Sequence, residues 1–259
     1  MFRLNTLFAA TLLGLSIVAA AQADPQIKFG VDPSYPPFEV KEPDGSLSGF
    51  DIDLGNAICA ELKVKCVWVE QPFDGMIPAL KAKKFDSILS AFSVTEARRK
   101  QVDFSDRLYS GPSALIAKEN SGLLPNVDSL KGKTIGVMQG SSQEMFAKSE
   151  WSAHDVNVLS YQTQDQVYID LIAGRLDAAF QPAVQGDIGF LQKPQGKGYA
   201  FAGEPLTDKR LTLDGVAIGI RKGDDALRGK LNTAIANIRA SGEYDRLASK
   251  YFNFDIYGK

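Results

Sequence analysis

The feature that most constrains this chain is an alternation of short apolar runs of strand length with longer segments of helical spacing. Residues 27–31 have strand character, and residues 50–62 place Phe50, Leu54, Ala57 and Ile58 at helical spacing. Residues 64–69 alternate as a strand, residues 73–82 set Met76, Ile77 and Leu80 on one helical face, and Ser87-Ile88-Leu89 is a third strand-like run. Residues 109–117 read as extended and close this first series. A second series opens with a strand over 133–138. It continues with a helix over 164–173 stopped by Gly174, a strand over 177–180, and a helix starting at Gln181 with Pro182 at its first helical position. Residues 212–221 are strand-like, and residues 224–251 form a long amphipathic region broken at Ser241-Gly242. Such alternation marks parallel α/β layers. Its restart near residue 110 predicts two α/β lobes joined by short extended crossovers, and a hinge follows from that geometry.

Two strand–loop–helix junctions have the chemistry of anion sites. In the first, the run ending at Leu89 gives way to Ser90-Ala91-Phe92-Ser93. Thr95 follows as an N-cap, with Glu96 to Arg99 as the first helical turn. Free N–H groups at a helix start and the helix dipole both favour negative charge. Arg98 can add a bidentate grip on a carboxylate; the alternative is a surface arginine on an exposed helix. In the second, Gln139-Gly140-Ser141-Ser142-Gln143-Glu144 follows a strand. Ser141 with Glu144 makes a capping box, and Gly140 lets the backbone approach a ligand closely. Asp32, Tyr35, Ser90 and Ser93 all lie just past predicted strands, where α/β sheets bind ligands. The loop from Asp32 to Phe38, with an acid, an aromatic and three prolines, resembles a pocket rim, although a plain proline-rich turn would share that composition.

The N-terminus indicates where the chain is sent. One cation at Arg3, an apolar run over 7–21 and Ala21-Gln22-Ala23 form the pattern of a cleaved secretory signal, residues 1–23. Its removal from 259 residues leaves 236, enough for one or two domains with well-formed cores. Net charge is −2, or −3 without Arg3, and no basic run suggests nucleic acid. After residue 23 no apolar run approaches the ~20 residues of a spanning helix, so the mature protein is expected to be soluble and exported. Export favours a structural disulfide between Cys59 and Cys66 over two free thiols. One histidine and a single cysteine pair give metal binding little support, and no cofactor is expected.

Several stretches resemble a known family: GFDIDLGNAIC, IPALKAKKFD, SLKGKTIGVMQGSSQE, LIAGRLDAAFQ and the tail YFNFDIYGK. Over essentially the whole mature chain the sequence is similar to periplasmic solute-binding proteins of polar amino acid ABC transporters, in particular lysine/arginine/ornithine-binding and histidine-binding proteins. The resemblance implies an α/β, type II periplasmic binding protein fold, with two lobes joined by two hinge strands that close over one ligand. Lobe 1 would comprise 24–110 and 215–259, and lobe 2 would comprise 114–207. The hinge crossovers would lie near 110–114 and 207–215. It also implies a Cys59–Cys66 bridge, an inner-membrane ABC permease as partner, a monomer, and a cationic amino acid or derivative as ligand. By the same resemblance, Arg98, Ser93 and the N–H groups near Ser141 and Ser142 would hold the α-carboxylate. Tyr35 and Phe73 would sandwich the side chain, Asp32 would meet its cationic end, and Ser90, Met138 and Gln143 would line the remainder.

Two positions depart from the family pattern. Pro182 stands where relatives carry the aspartate that binds the α-ammonium, and Ala91 where they carry a second serine. Losing one partner of a buried charged pair costs about 2–5 kcal/mol, roughly 30-fold to several-thousand-fold in affinity. Either a neighbouring group or water replaces the acid for an ordinary arginine, lysine, ornithine or histidine ligand, or the ligand has no free primary α-ammonium. A guanidino acid, an opine-like N-substituted amino acid or an ω-amino acid would satisfy the second case. The rival from another class is an exported dehydratase on the same fold. Against it, the one histidine, His154, lies in a polar stretch and completes no Ser-His-Asp set. A soluble sensor subunit would share the same lobes.

Overall fold

The computed structural model describes residues 25–258; the signal expected over 1–23 lies outside them. The chain begins with β1 (Gln26–Val31), β2 (Ser34–Tyr35), β3 (Glu39–Lys41) and β4 (Leu47–Ser48), followed by helix α1 (Phe50–Glu61). Then come β5 (Lys65–Glu70), a 3-10 turn over Phe73–Gly75 leading into α2 (Met76–Lys81), β6 (Ser87–Ile88), α3 (Glu96–Arg99) and β7 (Asp103–Tyr109). The second series is β8 (Ser113–Lys118), α4 (Val127–Leu130), β9 (Thr134–Met138), α5 (Ser142–Glu150), β10 (Asn157–Tyr161), α6 (Gln164–Ile172), β11 (Ala178–Pro182), α7 (Ala183–Gly186) and β12 (Tyr199–Phe201). The chain ends with β13 (Val216–Ile220), α8 (Asp225–Ala240) and α9 (Glu243–Ala248).

These strands form two five-stranded sheets, ordered β5-β1-β6-β13-β7 and β10-β9-β11-β8-β12, plus a small sheet of β2, β3 and β4. β1 is parallel to β5 and β6, and β9 is parallel to β10 and β11. β13 returns antiparallel between β6 and β7, while β8 runs antiparallel to β11 and β12. This is the two-lobe α/β architecture expected from the alternation. The carboxyl ends of β1, β6 and β9 lead directly into the segments carrying Asp32, Ser90 and Ser141, and Pro182 is the last residue of β11.

The first core is built on aromatic rings. Phe38 stacks on Tyr109 at 5.0 Å, and Phe50 meets Phe252 edge-on at 5.1 Å. The C-terminal segment is therefore part of this lobe, and the N–H of Ser110 donates to Ile256 O at 2.9 Å. Gly55 of α1 leaves room for Trp68 of β5, where an added Cβ would lie 2.6 Å from the indole. In α8, Leu231, Ala234, Ile235 and Ile238 are buried at helical spacing, and Asp224 caps the helix by accepting from the N–H of Leu227 at 3.1 Å. The second core centres on Trp151 against Phe180 at 4.7 Å.

Two expectations about the crossovers need correction. Residues 109–117 are not one extended run: β7 stops at Tyr109 and β8 starts at Ser113, with Ser110-Gly111-Pro112 between them. Proline supplies no N–H for a continuous ladder. The strand expected over 212–221 starts only at Val216, because the hydroxyl and N–H groups of Thr212 are engaged in turns, with Gly215 O and Asp208 O as acceptors.

Cys59 and Cys66 are bridged, with no free cysteine among the described residues. A link between residues seven apart restricts the unfolded chain by about 2.5 kcal/mol on loop-closure entropy. A Cys59→Ser/Cys66→Ser double variant should therefore lose about 2–3 kcal/mol in urea unfolding; an unchanged midpoint would refute this.

Candidate functional site

Arg98 is the centre of the site. Thr95 caps α3, its hydroxyl accepting from the N–H of Arg98 at 3.2 Å, and this turn directs the side chain inward. The arginine is 3% exposed, which excludes the reading as a surface residue. Its guanidinium carbon lies 4.1 Å from the centre of the Phe92 ring and 5.3 Å from that of Phe73. Nη1 donates to Ser93 O at 2.8 Å and Nη2 to Gly140 O at 3.0 Å, so the group joins both lobes. Burial pushes its pKa down to about 9. Among the described residues it has no carboxylate within ion-pair distance. A buried cation held only by carbonyl dipoles is a receptor for an anion.

The start of α5 faces the same space. Ser141 is the N-cap, accepting from the N–H of Glu144 at 3.0 Å. The N–H groups of Ser142 and Gln143 occupy the first turn, where no intrahelical acceptor exists. The reciprocal half of the expected capping box is displaced by one residue: Glu144 Oε2 accepts from Gly140 N at 2.6 Å rather than from Ser141 N. Gly140 has φ 76°, and a Cβ there would lie 2.7 Å from Asp74 Cα of the other lobe. Only glycine fits this close approach. A capping box does occur at Thr163 with Gln166, a pair not singled out in the sequence.

Carboxylates gather around Ser90. The N–H of Asp32 donates to Ser90 Oγ at 3.0 Å, and that hydroxyl donates to Glu39 Oε1 at 2.9 Å. Asp32 also accepts from Ser34 Oγ at 2.7 Å and from the N–H of Phe73 at 2.9 Å, while burial raises its pKa. Asp51 accepts from the N–H of Ala91 at 2.7 Å and from the hydroxyl of Tyr109 at 2.9 Å. Ala91 has φ 44°, a left-handed conformation unfavourable for a residue with a Cβ, and the bond to Asp51 helps to hold it there.

The residues converge on one cavity between the lobes, closed down to about 20 Å³, room for roughly one water molecule. Asp32, Tyr35, Phe73, Ala91, Ser93 and Arg98 line it from the first lobe, and Met138, Ser141, Ser142, Gln143 and Pro182 from the second. Ser90 is the exception among the sequence candidates, lying beneath the wall with its hydroxyl between Asp32 and Glu39. Pro182 is the N-cap of α7 rather than its first residue, because pairing with Ser113 keeps it extended at ψ 135°. Glu39 also lines the cavity and was missed by the sequence reading, which ended the rim at Phe38. The available signal was one acid between Phe38 and Val40 in an otherwise apolar stretch. Among the described residues no cluster of His, Cys, Asp and Glu could hold a metal ion.

The sequence profile of the bacterial extracellular solute-binding proteins, family 3, matches residues 27–254. The histidine-binding periplasmic protein of Escherichia coli (strain K12) is 48% identical over 244 residues, 94% of each chain. The lysine/arginine/ornithine-binding periplasmic protein of the same strain is 47% identical over 256 residues, 98% of each chain. Among solved structures, an ancestral arginine-binding protein bound to arginine superimposes with a TM-score of 0.81 at 32% identity, covering 88% of this chain and 98% of that one.

Burial raises the pKa values of both Glu39 and Asp51. A carboxyl group whose folded pKa is raised contributes stability that is complete below the ordinary carboxylate range and is lost as pH rises towards the folded value. The stability of the ligand-free wild type relative to Glu39→Gln should therefore fall as pH rises above the ordinary carboxylate range, by at most about 1.4 kcal/mol per pH unit. Urea titrations at several pH values test this, and a constant or rising difference would contradict it.

Proposed function

The chain belongs to the bacterial extracellular solute-binding proteins, family 3, and on that basis we propose that it is the periplasmic capture subunit of an ABC importer for a cationic amino acid or a carboxylate derived from one. The observation that carries this reading is the buried guanidinium of Arg98, which has no carboxylate partner among the described residues and lines one cavity with Asp32 and Glu39. The ligand's carboxylate docks on Arg98, Ser93 and the first turn of α5. Tyr35 and Phe73 flank its body, and its cationic group meets the acids around Ser90. Three peptide units separate Ser90 from Ser93, at most about 11 Å of chain, a span compatible with an arginine-sized molecule.

The protein works by capture. The lobes close about the crossovers at 110–114 and 207–215, and a ligand bridging them shifts the population towards the closed form. The permease in the inner membrane then engages the closed surface of what is a monomer. The chain reaches the periplasm through the signal over 1–23. It is a binding protein, as its relatives are named, and not a dehydratase.

We assign the finer specificity to ligands without a free primary α-ammonium, because Pro182 brings neither charge nor N–H to the cavity wall. Guanidino acids and opine-like amino acids fit this description. The alternative, ordinary binding of arginine, lysine, ornithine or histidine, is favoured by the names of the relatives.

Calorimetric titration of ligand-stripped protein with L-arginine and 4-guanidinobutyrate decides between the two. The des-amino compound should bind within tenfold of arginine; a deficit of about 100-fold or more would establish the ordinary specificity, as expected for loss of a buried charged partner. Arg98→Ala should weaken a carboxylate ligand by ~100-fold or more. Undiminished affinity in a variant with wild-type circular dichroism would place the anion site elsewhere.

A further inference from the structure

Glu39 and Asp51 form a pair of acids that the carboxylate-binding half of the site does not use. Glu39 is 1% exposed and Asp51 is fully buried, and the two lie within hydrogen-bonding reach of one another if one of them holds a proton. Asp51 is supplied with donors from the Ala91 N–H and the Tyr109 hydroxyl. Glu39 receives only the Ser90 hydroxyl on Oε1, and its Oε2 is buried without any donor from the described residues. A buried carboxylate oxygen without a donor is costly. Two things can satisfy it: a proton held with Asp51, or an N–H group brought by a ligand, since Glu39 lines the cavity.

Among the described residues no cation faces the pair. The titratable groups facing the pair are Asp32 after β1, Tyr35 on β2, Tyr109 on β7 and Tyr244 on α9. Arg98 lines the same cavity but bonds Ser93 O and Gly140 O instead. Two neighbouring carboxyl groups without a cation cannot both be ionised at low cost.

We propose that Glu39 and Asp51 hold one proton between them in the ligand-free protein, and that docking of the ligand's cationic group on Glu39 displaces that proton to solvent. The balance is one cation in and one proton out, so the buried charge around Ser90 is unchanged by capture. Affinity then rises about tenfold per pH unit wherever the free pair still holds its proton. The raised pKa values of both acids, caused by burial, extend that range upwards from ordinary carboxylate values. Glu39 thereby acts as a specificity-determining residue for the cationic end, in addition to Asp32.

This inference rests on the proposed reading that a cation-bearing carboxylate enters the cavity, and the experiment separates the two. L-arginine and 4-guanidinobutyrate are titrated calorimetrically into ligand-stripped wild type and Glu39→Gln at pH 7, in phosphate and in Tris. The difference in apparent heat between the buffers counts the protons released. Release of about one proton per ligand by wild type and near zero by Glu39→Gln is expected. Where Glu39→Gln binds too weakly to titrate, the wild-type Kd between pH 5 and pH 8 replaces it, and a Kd that falls as pH rises, by at most tenfold per unit, is expected. Binding without proton release, equal release from the variant, or a Kd that does not change with pH would overturn the proton exchange alone. Binding of neither probe would overturn the proposed ligand class and this inference with it.

Discussion

A guanidinium removed from water and given only carbonyl oxygens is the constraint on which the rest of the site depends. Arg98 keeps its place through the Thr95 cap behind it, Phe92 and Phe73 beside its plane, and the carbonyls of Ser93 and Gly140 at its nitrogens. Each neighbour fixes its direction and none neutralises it. The energetic deficit is retained in the fold and can be relieved only by a negative group arriving from outside. The start of α5 adds N–H groups to the same point, so the two lobes place complementary parts of one receptor on opposite sides of a gap.

The acids around Ser90 follow the opposite logic. One hydroxyl serves two of them, accepting from the backbone of Asp32 and donating to Glu39. Pro182 brings no charge from the second lobe, and Glu39 brings a carboxyl group from the first, within the same cavity. The electrostatics of the site therefore concentrate on one lobe, with Asp32 after β1, Glu39 on β3, Asp51 on α1 and Arg98 on α3.

Local chemistry made much of this legible before any coordinates. Thr95 and Ser141 are caps because a short side-chain oxygen before a helical turn finds an N–H two or three residues on, and both do so here. Helix α8 was visible in its spacing, with burial at Leu231, Ala234, Ile235 and Ile238. The failures have other causes. Glu39 is 51 residues from Ser90, and only the packing of its short strand against the loop after β6 brings the two together. Glu144 reaches past Ser141 to Gly140 because the loop bends at a positive φ that a spacing rule does not describe. Pro182 reads as a helix start, yet a partner strand some seventy residues earlier holds it extended. The misses at Glu39 and Pro182 are long-range contacts overriding a local preference, and the one at Glu144 is a local bend.

The hydrogen bond from Arg98 to Gly140 has a consequence for traffic through an importer. It ties the two lobes together using atoms of the protein alone, and a net contribution of about 1 kcal/mol would multiply the closed-to-open ratio of empty molecules by about five. A permease that recognises shape cannot distinguish an empty closed molecule from a loaded one by its outer surface. Such molecules would queue at the membrane as non-productive competitors, more so when the solute is scarce. On the proposed reading, the strength of this one latch would set a trade between rapid closure on a captured solute and idle occupancy of the transporter.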